Sequence, residues 1–289
     1  MRSSQHARLH GAKTDATRPP TGDSALSQRR TLAFLVFGAL NLGVSLAFTL
    51  PGPDNDDWRL WEKLPEAIAS GTIYATDPLP FAWSVPAAYL MAGVTMIGYW
   101  PLFALHYLAL LLLRRTPLLM GLAAVSWPVW IDASEGNTLT FTFVAGLLAL
   151  RGSRPAAVVY LALCVLIPRP VQFPLAVWLL WKMPELRLPA IAMGAAVLAA
   201  SFGQIEAWMG ALREYTAPFN AGPTHFVGAW WFIVGIPLAA WLTWRGRVGW
   251  AGLAISPYIM PYYFLTLLWE LANRHGGRPR ALVPAREVR

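Results

Sequence analysis

Charge is scarce in this 289-residue chain: Asp, Glu, Lys and Arg together make up 13% of the residues, and cysteine occurs once. The single Cys164 excludes an intramolecular disulfide and any site built on several thiolates. The five histidines are scattered without the spacing of metal ligands, so we predict no metal site and no cofactor. The apolar runs do not alternate with polar residues, which excludes a transmembrane β-barrel.

Apolar residues are abundant by contrast, at 56% of the chain with a mean hydropathy of +0.44. Lipid tolerates only helices or closed barrels as spanning elements, and the barrel is excluded above. We therefore predict an all-α, polytopic membrane protein of about ten segments. Several segments are shorter than the roughly 20 residues of a full crossing and would be tilted, paired or line a cavity. A break is expected at Gly98-Tyr-Trp-Pro101. The segments are residues 31–50, 83–113, 116–131, 137–150, 155–167, 171–181, 188–206, 226–244, 247–257 and 259–272.

The net charge of +8 is distributed as in a membrane protein rather than a nucleic-acid-binding one. Short basic clusters separate the apolar runs, and cytoplasmic loops are enriched in Lys and Arg. This pattern predicts a multi-pass protein of the cell membrane with both termini in the cytoplasm. The domains are a disordered basic tail (1–30), a membrane domain (31–272) whose loop 51–82 lies outside, and a second basic tail (273–289).

The loop 51–82 is acidic and aromatic, and it directly follows the first predicted span. Asp54, Asp56 and Asp57 precede a predicted amphipathic helix, Trp58–Ser70. Carboxylates are costly to hold close to lipid, so a cluster of them beside a span indicates chemistry or ligand binding.

An ordered set of motifs carries a family resemblance. They are Asp57-Trp58-Arg59-Leu60-Trp61, Gly71-Thr-Ile-Tyr74, Phe81-Ala-Trp83-Ser-Val-Pro86, Glu135-Gly136-Asn137, Ile167-Pro168-Arg169-Pro170, and Ile255-Ser256-Pro257 followed by Tyr262-Tyr263. Together they resemble the polyprenyl-phosphate-mannose-dependent mannosyltransferases, which have the GT-C architecture. Asn137 stands where that family has Gln, and Arg169 where it has Lys.

The resemblance implies that Asp57 is the catalytic base. Sugar transfer from a lipid phosphate requires a base for the acceptor hydroxyl proton, and aspartate is ionised at neutral pH. Asp54 and Asp56 are rivals for this role. The alternative for all three acids is capping of the helix that follows.

Arg169 is the candidate cation for the leaving phosphate, because a bidentate phosphate would be a suitable partner for an arginine between apolar spans. An ion pair with Asp132 or Glu135, or snorkelling to the interface, is the alternative. Asn137, Trp61 and Tyr74 match family positions and are candidate substrate-binding residues, although Trp and Tyr also gather at membrane interfaces. Packing or snorkelling is predicted for His106 and Glu270.

These inferences predict a membrane glycosyltransferase that moves a sugar, with mannose favoured, from a polyprenyl phosphate to a glycan or glycolipid acceptor outside the bilayer. The rival is a non-catalytic relative that binds or transports lipid. A transporter is expected to show paired internal repeats, and none is evident in the sequence.

Overall fold

The computed structural model describes residues 51–75, 81–216 and 223–270, with the isolated positions Val36, Ala39 and Gly43. Apart from those three positions, the first predicted span (31–50) and the two tails lie outside the described residues. The described part is helical and contains no strand, which confirms the all-α prediction.

Thirteen α-helices follow one another along the described chain. They are α1 (Asp56–Ser70), α2 (Val85–Thr95), α3 (Tyr99–Leu110), α4 (Pro117–Ala124), α5 (Trp127–Ser134), α6 (Leu139–Leu150), α7 (Arg154–Leu166), α8 (Phe173–Lys182), α9 (Arg187–Ser201), α10 (Ile205–Thr216), α11 (Pro223–Val227), α12 (Trp231–Trp244) and α13 (Val248–Ile255). Short 3-10 turns join several of them, including Pro170–Gln172 and Pro261–Thr266.

The described residues do not support the prediction of about ten membrane segments. Two helical stretches, Pro184–Leu212 and Pro223–Trp244, are long and apolar enough to cross a membrane. The pair α2 and α3 makes a third candidate if the two helices form one broken span. The remaining apolar runs are short, and helices of 10–14 apolar residues are typical of a buried core. Helix α6 shows this, because most of its side chains are buried inside the protein.

The break predicted near Gly98 is present, and the helices on either side of it differ in direction by 106°. Gly98 has a φ of 91°, which a residue with a Cβ adopts only at a cost. Pro101 lies in the first turn of α3, where its missing N–H removes no helical hydrogen bond. The chain therefore turns sharply here, and α3 runs alongside α5 and α6.

Two glycines of α13 allow backbone segments to pack without side chains between them. A Cβ at Gly252 would lie 2.3 Å from the carbonyl oxygen of Val171, and one at Gly249 would lie 2.2 Å from that of Thr266. Neither distance is compatible with a methyl group. Helix α13 therefore fixes the turn Pro170–Gln172, which directly follows Arg169.

Candidate functional site

Asp57 lies in the first turn of α1, which begins two residues earlier than predicted. The N-cap position belongs to Asn55, whose side chain makes no capping bond and instead donates to the carbonyl of Ser134. Asp57 uses its carboxylate differently: its Oδ2 accepts from Nδ2 of Asn137 at 3.1 Å. The acid that matches the family motif thus points to a second candidate residue. Asp54, in contrast, is 89% exposed and pairs with Arg59 at 2.9 Å.

Asn137 connects the two charged candidates. Its side chain is fully buried, and while Nδ2 donates to Asp57, Oδ1 accepts from an Nη of Arg169 and from the backbone N–H of Thr138 at 2.9 Å. One carboxamide therefore joins the predicted base to the predicted phosphate-binding cation.

The Arg169 side chain is 3% exposed, so it does not snorkel to a surface. Its guanidinium carbon lies 5.2 Å from the ring centroid of Trp83 and 5.7 Å from that of Tyr262. Aromatic faces attract a guanidinium at such distances. Asp132, one of the two acids considered as its ion-pair partner, faces His106 instead.

A small cleft opens beside Asp57. The enclosed space measures about 10 Å³, and its wall consists of Asp57, Leu60, Trp61, Phe81, Ala82 and Trp83. Pockets that hold whole small molecules usually measure roughly 300–1,000 Å³. The space has room for about one water-sized group, so a sugar enters only if the walls move.

The two aromatic candidates occupy different places. Trp61 is fully buried at the wall of the cleft, and its ring is tilted against those of Trp58 and Trp83. Tyr74 is half-buried, lies outside the cleft wall and donates to the carbonyl of Trp83 at 3.1 Å. Burial raises the pKa of Tyr74 to about 12, so the hydroxyl keeps its proton at neutral pH. Sugar binding by either residue stays a prediction.

Gly136 sets the approach of the Asn137 loop to α1. Its φ is 67°, and a Cβ at this position would lie 3.1 Å from the ring of Trp58. A side chain here would meet both a strained backbone conformation and a close aromatic neighbour.

We expect Gly136→Ala to destabilise the protein by more than the roughly 1–2 kcal/mol of a left-handed non-glycine residue. Gly152→Ala is the matched control, since Gly152 has a φ of 87° and a Cβ added there would meet no neighbour within 4 Å. Thermal unfolding of the purified variants in detergent measures the difference. Equal losses of stability in the two variants would show that contact with Trp58 does not constrain this loop.

Sequence reasoning missed a buried pair beneath Asn137. His106 is fully buried, and its Nε2 lies 2.7 Å from the carbonyl oxygen of Asn137 and 3.8 Å from Oδ2 of Asp132. Asp132 in turn accepts from the backbone N–H groups of Leu139 and Thr140, at 3.2 and 2.6 Å. An ionisable residue inside an apolar run needs a partner, and this rule was the available signal.

Comparison with protein-family models finds no match, and neither do searches of curated proteins and of solved structures. The similarity to mannosyltransferases therefore rests on the sequence motifs alone.

Proposed function

We propose that this chain is a membrane glycosyltransferase that transfers a sugar, with mannose as first candidate, from a polyprenyl phosphate to a glycan or glycolipid acceptor. The observation that supports it best is the Asn137 carboxamide, which joins Asp57 to Arg169. The reaction requires a base and a phosphate-binding cation in one site, and these residues supply both.

The proposed reaction is a single displacement. The acceptor hydroxyl oxygen attacks the anomeric carbon, the bond from that carbon to the phosphate oxygen breaks, and polyprenyl phosphate leaves with the electron pair. Asp57 takes the hydroxyl proton as the new glycosidic bond forms. Arg169 stabilises the charge that develops on the phosphate, and its buried position strengthens that interaction.

In this scheme the Asn137 side chain occupies the position at Arg169 that the donor phosphate takes in the complex. Its Oδ1 accepts from Arg169 in the described structure, where a phosphate oxygen would accept in the complex. Its Nδ2 keeps the Asp57 carboxylate oriented until the acceptor hydroxyl arrives. The small cleft beside Asp57 has room for the reacting hydroxyl, and its walls would move to admit the sugar.

Sugar transfer from radiolabelled polyprenyl-phosphate mannose tests the proposal. Membranes containing the protein are incubated with the donor and a panel of glycan and glycolipid acceptors, and membranes without the protein serve as the blank. Labelled product that depends on the protein is the expected result. Absence of transfer to every acceptor would contradict the proposed activity.

A non-catalytic lipid-binding protein is the second candidate, because the cleft beside Asp57 leaves no room for an acceptor sugar unless its walls move. Such a protein would retain the donor lipid phosphate without turning it over. Binding of the labelled donor without any transfer is the outcome that selects this alternative.

The proposed orientation places the loop containing Asp57 outside the cell and both termini in the cytoplasm. Cysteine introduced at Ser70, which is exposed at the end of α1, should react with an impermeant reagent in intact cells. Cysteine at Ser153, next to a basic cluster, should react only after the cells are opened. The reverse labelling pattern would place the candidate site on the cytoplasmic side.

A further inference from the structure

The geometry points to His106 as a positioning residue: a buried, doubly protonated imidazolium that pairs with Asp132 and clamps Asn137 between Asp57 and Arg169. Its consequence for sugar transfer rests on the proposed function. The protonation state of His106 and its contacts with Asn137 are independent of the proposed function, because both follow from contacts within the chain.

Both ring nitrogens of His106 face oxygens that can only accept hydrogen bonds. Nδ1 lies 2.8 Å from the carbonyl oxygen of Leu102, and Nε2 lies 2.7 Å from that of Asn137. A neutral imidazole has one N–H and one lone pair, so it would set that lone pair against a carbonyl oxygen. Only the imidazolium donates in both directions.

Asp132 supplies the matching negative charge. Its side chain is fully buried, and both oxygens accept from backbone N–H groups at the start of α6. This arrangement favours the carboxylate, because a helix N-terminus offers free N–H groups and a positive dipole end. A buried carboxylate needs a cation nearby, and His106 is the one paired with it in the described part of the chain.

The pair holds the peptide of Asn137 from both sides. The Asn137 N–H donates to the Asp132 carbonyl oxygen at 2.8 Å, while its carbonyl oxygen accepts from His106. With the backbone fixed, the short side chain reaches both Asp57 and Arg169. Loss of one His106 proton would set a lone pair against the carbonyl oxygen of Leu102 or of Asn137, so the ring could no longer hold both.

The ionisable surroundings of His106 are few. Helix α5 contributes Asp132, and helices α4 and α6 contain no ionisable residue at all. Helix α3 itself contains Tyr99 and Tyr107. Helix α6 presents the ring of Phe141, 4.5 Å from the imidazole centroid. Asp132 is the acid that faces His106, and the Arg169 cation contacts the same Asn137 through its side chain.

Nuclear magnetic resonance on the full chain in lipid nanodiscs, with ¹⁵N-labelled histidine and asparagine, tests the inference. At neutral pH we expect both His106 ring nitrogens to carry protons, and His225, which is exposed, provides the reference signals. His106→Gln and Asn137→Ser variants assign the signals. A wild-type spectrum with one unprotonated His106 nitrogen would overturn the imidazolium.

Raising the pH tests the clamp without any variant. The Asn137 Nδ2 signal should shift as His106 loses its proton, with the same midpoint. An Asn137 signal that stays constant through the His106 transition would overturn the positioning role.

The transfer assay then connects the clamp to turnover. His106→Gln is expected to lower kcat by roughly 10²-fold, as a misplaced catalytic group does, with KM changed little. Loss that appears only in KM contradicts the positioning role. Failure of the wild type to transfer sugar would refute the proposed function alone, since the spectra report on the clamp directly.

Discussion

Asp57→Asn is expected to lower sugar transfer by roughly 10²–10⁴-fold, the usual contribution of a general base. The substitution preserves size, and the new side-chain oxygen can still accept from Nδ2 of Asn137. The fold and the site geometry should therefore persist. The amide cannot take a proton from the acceptor hydroxyl, so the chemical step slows. Transfer of radiolabelled mannose in membranes, normalised to protein level, measures the effect.

Asp54→Asn is the matched control for this variant. Asp54 lies on the same loop, three residues earlier, but its side chain is exposed and its partner is Arg59. Exposed ion pairs contribute at most about 1 kcal/mol, so transfer should stay near the wild-type rate. Donor binding should be unchanged in both variants. A wild-type transfer rate in Asp57→Asn would refute the assignment of the base.

Arg169→Ala should weaken donor binding by about 10–100-fold. Hydrogen bonds to a charged group contribute about 1.5–3 kcal/mol, and the alanine variant removes those that Arg169 would make to the phosphate. Arg169→Lys should retain part of the affinity, because a lysine keeps the charge but lacks the planar fork. Retention of labelled polyprenyl phosphate on the purified protein, at several lipid concentrations, measures the affinity.

Arg59→Ala controls for the loss of a positive charge beside the same loop. Arg59 is more than half exposed and pairs with Asp54, so its removal should leave donor affinity unchanged. Unaltered affinity in Arg169→Ala as well would show that Arg169 serves the structure only. Its contacts with the rings of Trp83 and Tyr262 would then account for its position.

The helical class could be predicted from the sequence, but the number of crossings could not. An apolar composition indicates that a helix is shielded from water. It does not indicate whether lipid or other helices of the protein surround it. Residues 139–150 contain no charged residue and are mostly apolar, yet α6 is mostly buried by other helices. The break at Gly98 was predictable, because Gly98 and Pro101 change the backbone direction locally and need no long-range contact to do so.

The candidate site was likewise predictable from the sequence only in part. Asp57, Asn137 and Arg169 were each identifiable from a local motif, and the structure brings them into one hydrogen-bonded set. The pairing of His106 with Asp132 was not predictable, because it depends on how α3 leaves the bend and lies against α5 and α6. The contact of Tyr262 with Arg169 likewise depends on long-range packing.

The glycine contacts of α13 also affect how genetic variants of this protein should be interpreted. Gly249 and Gly252 lie on α13, whereas Asp57 lies on α1. A methyl group at either glycine would nevertheless overlap a backbone carbonyl oxygen. Screens for inactive variants should therefore recover substitutions at these two glycines as often as substitutions in the site. Low protein abundance separates them from site variants, which should accumulate normally and fail only in transfer.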